Sequence, residues 1–162
     1  MTDLVIRNAE KDDAELVASF IYELAEFEKR LHEAKPDAFK LRQHLESGAN
    51  PFLGCLIAEL DGRPAGFAVY FYAYSTFLTN WGLYLEDIYV RQEYRRQGIA
   101  KALFFKLGEI AVAKDCRRLD FNVLGWNEDA IRFYTSLGAV PLTEWTQMRF
   151  EGTALANLVQ SR

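Results

Sequence analysis

The chain has 162 residues, enough for one well-buried core and short for two domains. Half of its residues are hydrophobic, 14% are aromatic and 26% are charged, which excludes a disordered polymer, and no apolar run reaches membrane-spanning length. With 19 basic and 23 acidic residues the net charge is −4, which argues against a nucleic-acid partner, while two cysteines and two histidines make neither a disulfide framework nor a metal site. The start, Met-Thr-Asp-Leu, lacks the basic-then-apolar pattern of a signal peptide, so a cytoplasmic protein with no membrane partner is expected.

In chain order, residues 4–7 read as a short edge strand. Asp12 and Glu15 form a D-x-x-E capping box before a helix whose apolar positions Leu16, Phe20, Leu24 and Phe27 recur at helical spacing. Pro36 and Asp37 open a second helix, running to about Glu46 and ending at Gly48. Segments 53–60 and 64–74 are strands flanking Asp61-Gly62, a pair that tolerates the left-handed conformations of a tight hairpin turn. After a loop at 75–82 comes a strand at 83–90 carrying Glu86 and Asp87. A glycine turn at Gly98, a helix at 99–114, a strand at 118–124, a helix at 127–137 closed by Gly138 and a last strand at 142–150 complete the chain. The order β-α-α-β-β-β-α-β-α-β is α/β. It predicts a single domain over 1–162, with a mixed, largely antiparallel sheet and helices on both faces.

Two features carry chemistry. The turn before helix 99–114 is rich in arginine, and the first N–H groups of a helix have no intrahelical partners, so an anion such as a phosphate fits there. Ahead of it, Glu86 and Asp87 sit in a strand whose side chains alternate, so the two carboxylates are expected on opposite faces. Charges segregate along the chain as well. Glu15, Glu23, Glu26, Glu28 and Glu33 crowd the first helical region, and Arg91, Arg95, Arg96, Lys101 and Lys106 crowd the turn, although most of these charges read as solvated helix faces.

The run RRQGIA at 95–100 matches the Q/R-x-x-G-x-G/A pyrophosphate loop of the GNAT acyl-CoA N-acetyltransferases. LYLEDIYV at 83–90 resembles the fourth strand of that superfamily, and WNEDAIRFYTSLGA at 126–139 resembles its N-x-x-A-x-x-F-Y-x-x-x-G segment. VIR at 5–7, ELAEFE at 23–28 and the LYLED string are similar to the spermidine/spermine (diamine) and thialysine N-acetyltransferase branch. This likeness covers roughly residues 4–139 and loosens after Gly138.

The resemblance implies a homodimeric enzyme that transfers acetyl from acetyl-CoA, without a metal, to a small aliphatic amine by direct attack on the thioester. Such an amine, with a pKa near ~10.4, is almost wholly protonated at neutral pH, so the site needs an acidic group to hold the ammonium and take its proton. By resemblance Glu86 has that role, with Asp87 behind it and Phe27 and Glu28 lining the amine site. Tyr134 is the acid for the departing thiolate; read alone, it is a structural residue of a core stripe with Ile131, Phe133 and Leu137. Main-chain groups of Ile88 and Val90 pair with the pantetheine amides, and an N–H near Ile88 or Tyr89 stabilises the oxyanion. The stretch Arg95, Arg96, Gln97, Gly98, Ile99, Ala100 and Lys101 holds the pyrophosphate, and Asn127 and Ala130 complete the cofactor contacts. Arg96 stands where many relatives have glycine. An amino acid, aminoglycoside or protein amine as acceptor, or a catalytically weak acyl-CoA-binding module, are the competing readings. The apolar tail at 154–159 is expected to add dimer contacts.

Overall fold

The structure is a computed structural model, and residues 3–46 and 53–160 are described. It comprises two compact units, 1–122 and 123–162. In the first, five strands lie in sequence order: β1 (Leu4–Asn8), β2 (Leu53–Leu60), β3 (Arg63–Ser75), β4 (Asn80–Val90) and β5 (Leu119–Phe121). The first three pairings are antiparallel, and β5 joins β4 in parallel, which requires the crossover that α3 provides.

Alternation along the strands sorts their side chains onto two faces. Leu56, Ala58, Leu60, Ala68, Tyr70, Leu83 and Leu85 pack with Leu103 and Leu107 of helix α3 (Ile99–Ala113). Cys55, Ile57, Phe67 and Val69 pack on the other face with Val17, Phe20 and Leu24 of α1 (Ala14–Phe27), and with Leu41 and Leu45 of α2 (Ala38–Leu45). Helices therefore cover both faces, as the α/β reading requires.

Local chemistry explains most boundaries. Asp37 caps α2 by accepting the Lys40 N–H at 3.1 Å. Asp61 (φ 50°) and Gly62 (φ 72°) both take the left-handed conformation that a two-residue hairpin turn needs. The reciprocal cap before α1 falls two residues earlier than expected: Asp13, not Glu15, accepts the Glu10 N–H at 2.8 Å, because a 3-10 turn over Lys11–Asp13 precedes the helix. Arg7 holds that turn, donating to both Asp13 oxygens at 2.8 Å and to Glu59 at 2.9 Å. The 75–82 loop is shorter than predicted, since β4 starts at Asn80. The expected helix end at Gly48 lies outside the described residues.

The second unit contains α4 (Glu128–Ser136) and α5 (Gly152–Gln160). The strand expected at 142–150 is absent: that stretch is irregular, and the tail at 154–159 is helical instead. Leu142, Trp145, Met148 and Phe150 are spaced by three, three and two, which puts Trp145 on the opposite face of any strand from the others.

Candidate active site

The register between β3 and β4 slips once. Val69 pairs with Asp87 and Tyr70 with Leu85, so Glu86 is an extra residue, a β-bulge. The bulge reverses the alternation. Leu83 and Leu85 before it and Ile88 and Val90 after it all belong to the α3-side core, while Tyr89 packs on the α1 side. Asp87, opposite Val69 and two residues from Tyr89, lies on the α1 face, and Glu86, next to Leu85, lies on the same face. The expectation that the two carboxylates diverge is overturned: an extra residue cancels one step of a period-two pattern.

Glu28 follows the end of α1 on this face. Burial pushes the Asp87 carboxyl up to about 6, with the charges of Glu86 and Glu28 adding to it, and burial also raises Glu28. Glu86 itself is exposed. Phe27 tilts against Tyr89 with ring centroids 6.5 Å apart. The structure thus gathers Phe27, Glu28, Glu86 and Asp87 into one acidic, aromatic corner.

On the other edge of β4, pairing with β5 covers only Leu83–Leu85 among the described residues. Leu83 N–H donates towards β5, to Arg118 O, and Arg91 N–H towards β3, to Ala65 O. With one reversal at the bulge, the amide groups of Ile88 and Val90 face the edge beyond β5, and that of Tyr89 faces β3. Ile88 is then the better donor for an oxyanion. Arg95 Nε donates to Val90 O at 3.0 Å on that edge, so this carbonyl already has a partner.

Beyond the end of β4 at Val90, Arg96 (φ 60°) and Gly98 (φ 80°) are both left-handed, and the main-chain ladder of α3 begins with Ala102 N–H on Gly98 O at 2.9 Å. The N–H groups of Ile99, Ala100 and Lys101 precede that ladder and point out of the helix start, a cradle that fits a pyrophosphate. A Cβ on Gly98 would meet nothing within 4 Å, so glycine is required there for its backbone angle and not for room. Two of the expected cations are committed elsewhere. The Arg95 guanidinium lies 4.5 Å over the Phe27 ring, and that of Arg91 pairs with Glu23 at 2.8 Å, donates to Pro64 O at 2.9 Å and covers Phe20 at 4.7 Å. Lys101 Nζ lies 5.5 Å from the Phe105 ring. Gln97 donates to Glu93 O at 3.3 Å.

In the second unit, Asn127 caps α4, its side-chain oxygen accepting the Ala130 N–H at 3.3 Å. That bond leaves its NH2 group for any ligand contact. Tyr134 is half-buried beside Phe133, their centroids 5.5 Å apart. Sequence reasoning missed the Glu23–Arg91 pair, the only hint of which was the segregation of charge. It also missed the bulge at Glu86, which pairing to β3 creates.

A bulged strand thus sets two carboxylates just ahead of a main-chain cradle for a phosphate-bearing ligand. The model of the acetyltransferase (GNAT) family matches residues 18–139, and the chain belongs to that family. It is an acetyl-transferring enzyme, and its activity is acetyl-CoA-dependent acetylation of a small amine. Among its relatives, the thialysine N-epsilon-acetyltransferase of Sus scrofa is 40% identical over 169 residues, covering 98% of each chain, and that of Caenorhabditis elegans is 39% identical over 158 residues, covering 96% of each. An integron cassette protein from the mobile metagenome of V. cholerae superposes with a TM-score of 0.78 at 27% identity, covering 97% of this chain and 98% of its own.

Proposed function

We propose that the acceptor is a short aliphatic molecule with a terminal primary amine, of the thialysine or diamine kind, and that the corner formed by Glu28, Glu86 and Asp87 receives it. The bulge at Glu86 carries this reading, because it turns both strand carboxylates towards one face. Exposed Glu86 meets the ammonium. The proton passes to the Glu86–Asp87 pair, where a carboxyl near 6 is mostly ionised at neutral pH yet is a stronger base than an ordinary aspartate. Phe27 lines the amine's stem.

Acetyl-CoA, when bound, supplies the thioester that the neutral amine attacks. The pyrophosphate is held by the main chain of Arg96, Gln97, Gly98, Ile99, Ala100 and Lys101, and the pantetheine arm by the edge of β4 at Ile88 and Val90, with Asn127 and Ala130 as further contacts. Arg95 acts from behind, fixing Val90 O, while Tyr89 backs the amine corner. The Ile88 N–H faces the developing oxyanion, and the Tyr134 hydroxyl gives its proton to the departing sulfur. The family match crosses the division at 122, which supports one catalytic domain over 1–162. A homodimer and a cytoplasmic location belong to the same proposal.

The test is thiol release from acetyl-CoA across thialysine, diamines, polyamines, amino acids and aminoglycosides, with wild type and Glu86→Gln. Gln keeps the shape and removes the charge, so kcat/KM for the small amines should fall at pH 7 and recover partly at pH ~9–10, where more of the amine is neutral. An unchanged rate and pH profile would move the acceptor away from Glu86.

A further inference from the structure

The α1 face continues past Glu86 to a charged pair that the acetyl-transfer chemistry does not use. In the parallel register Tyr84 pairs with Asp120, and Leu119 and Phe121 on either side of Asp120 pack into the α3-side core. Asp120 therefore shares a face with Tyr84, and Arg118, two residues back, shares it too. Arg118 Nε lies 2.7 Å from Asp120 Oδ2. A Cβ on Gly82 would come within 3.0 Å of the Arg118 Cγ, so this glycine lets the arginine lie low across the sheet. Between the pair and Glu86 is an aromatic floor: Tyr84 stacks on Phe71 at 4.9 Å, and its hydroxyl accepts from Asn122 Nδ2 at 2.8 Å. Asp120 lies opposite Tyr84 on the neighbouring strand and Glu86 two residues along its own, so a carboxylate stands to either side of Tyr84; burial raises its hydroxyl, both carboxylates push it further, and the Asn122 hydrogen bond works against them.

We propose that Arg118 and Asp120 form the far end of the acceptor site and read the carboxylate and ammonium of an α-amino acid whose side chain ends in the acetylated amine. This rests on the placement of the reacting amine at Glu86. Position 84 is about 6.8 Å along β4 from Glu86, and Asp120 is one strand, about 4.8 Å, to the side, a span suited to a lysine-length stem lying on the Tyr84 ring. The planar fork of arginine matches a carboxylate with two parallel hydrogen bonds, and Asp120 beside it is placed for the α-ammonium. A half-exposed ion pair adds little to folding, so stability alone gives little reason for Gly82 to make way for it. A plain diamine offers Asp120 an ammonium and leaves Arg118 without an anion.

The experiment compares thialysine with its decarboxylated counterpart, the same diamine stem without the carboxylate, in steady-state assays of wild type, Arg118→Gln, Arg118→Lys, Asp120→Asn and Glu86→Gln. Arg118→Gln should lower kcat/KM for thialysine about tenfold or more relative to the counterpart, chiefly through KM, because one charge-assisted interaction is lost. Arg118→Lys should fall in between, and Asp120→Asn should weaken both amines. Acetyl-CoA affinity by calorimetry reports whether each variant is folded. If Arg118→Gln and Arg118→Lys change the two amines equally while Glu86→Gln slows both, the Arg118 assignment is wrong and the amine reading stands. If Glu86→Gln slows neither, the acceptor placement falls and this subsite falls with it.

Discussion

The two faces of the sheet treat the same strand differently. On the α3 side, β4 contributes Leu83, Leu85, Ile88 and Val90 to an unbroken apolar surface under Leu103 and Leu107. On the α1 side it contributes Tyr84, Glu86, Asp87 and Tyr89, and burial there leaves a carboxyl at about 6. One extra residue makes both possible. Were Glu86 paired in strict alternation instead of bulged, Asp87 would enter the α3-side core and Ile88 would leave it. The bulge keeps the core apolar and concentrates charge where an ammonium can reach it.

Deleting Glu86 should separate the two faces most sharply. The shortened strand alternates regularly, with Leu85 and Ile88 still towards α3 and Asp87 still away, so the protein should fold. Turnover should nevertheless drop roughly 10²–10³-fold, as the ammonium partner and the edge geometry at Ile88 are lost together. Circular dichroism with steady-state kinetics checks this; an active deletion variant would remove the bulge from the mechanism.

The opposite dissection strikes the apolar face. Leu103 is fully buried, and Leu103→Ala should cost about 2–5 kcal/mol of stability through lost burial and a cavity. Where the variant is still folded, KM for the amine should stay close to wild type. Urea unfolding and kinetics at low temperature would show whether the two faces are separable in this way.

A smaller effect, of opposite sign, is expected on the charged face. The native Asp87 carboxyl titrates near 6 and an unfolded aspartate near ~3.9, so the native state holds a proton that the unfolded state releases between those values. Stability therefore falls as pH rises through that window, and the full cost is present above it. Asp87→Asn should stabilise the protein by about 1–3 kcal/mol at pH 8 and by little at pH 4. Thermal melts at the two pH values measure the difference. An equal shift at both would mean that packing, not charge, sets the effect.

Much of this was legible in the residues. The apolar spacing of Phe20 and Leu24, the Asp61-Gly62 turn and the RRQGIA loop are local signals, and each acts through backbone angles or a single helix face. The helix after Gly98 and the hairpin before β4 follow from them directly. The strand predicted at 142–150 did not form: the stretch is irregular, and Trp145 breaks the period-two face of Leu142, Met148 and Phe150. The Arg91 and Arg95 guanidiniums, which read in sequence as part of an anion site, proved to be held by Glu23, Phe20, Val90 and Phe27, residues from other segments.

The sequence by itself therefore determined the element types through β5, the family and the two carboxylates, since composition, period and turn chemistry are properties of neighbouring residues. Only the tertiary structure decided which way those carboxylates point. A period-two pattern is reset by one unpaired residue, and whether Glu86 is paired depends on how β4 registers against β3, two strands whose contacts are set by packing across the whole sheet.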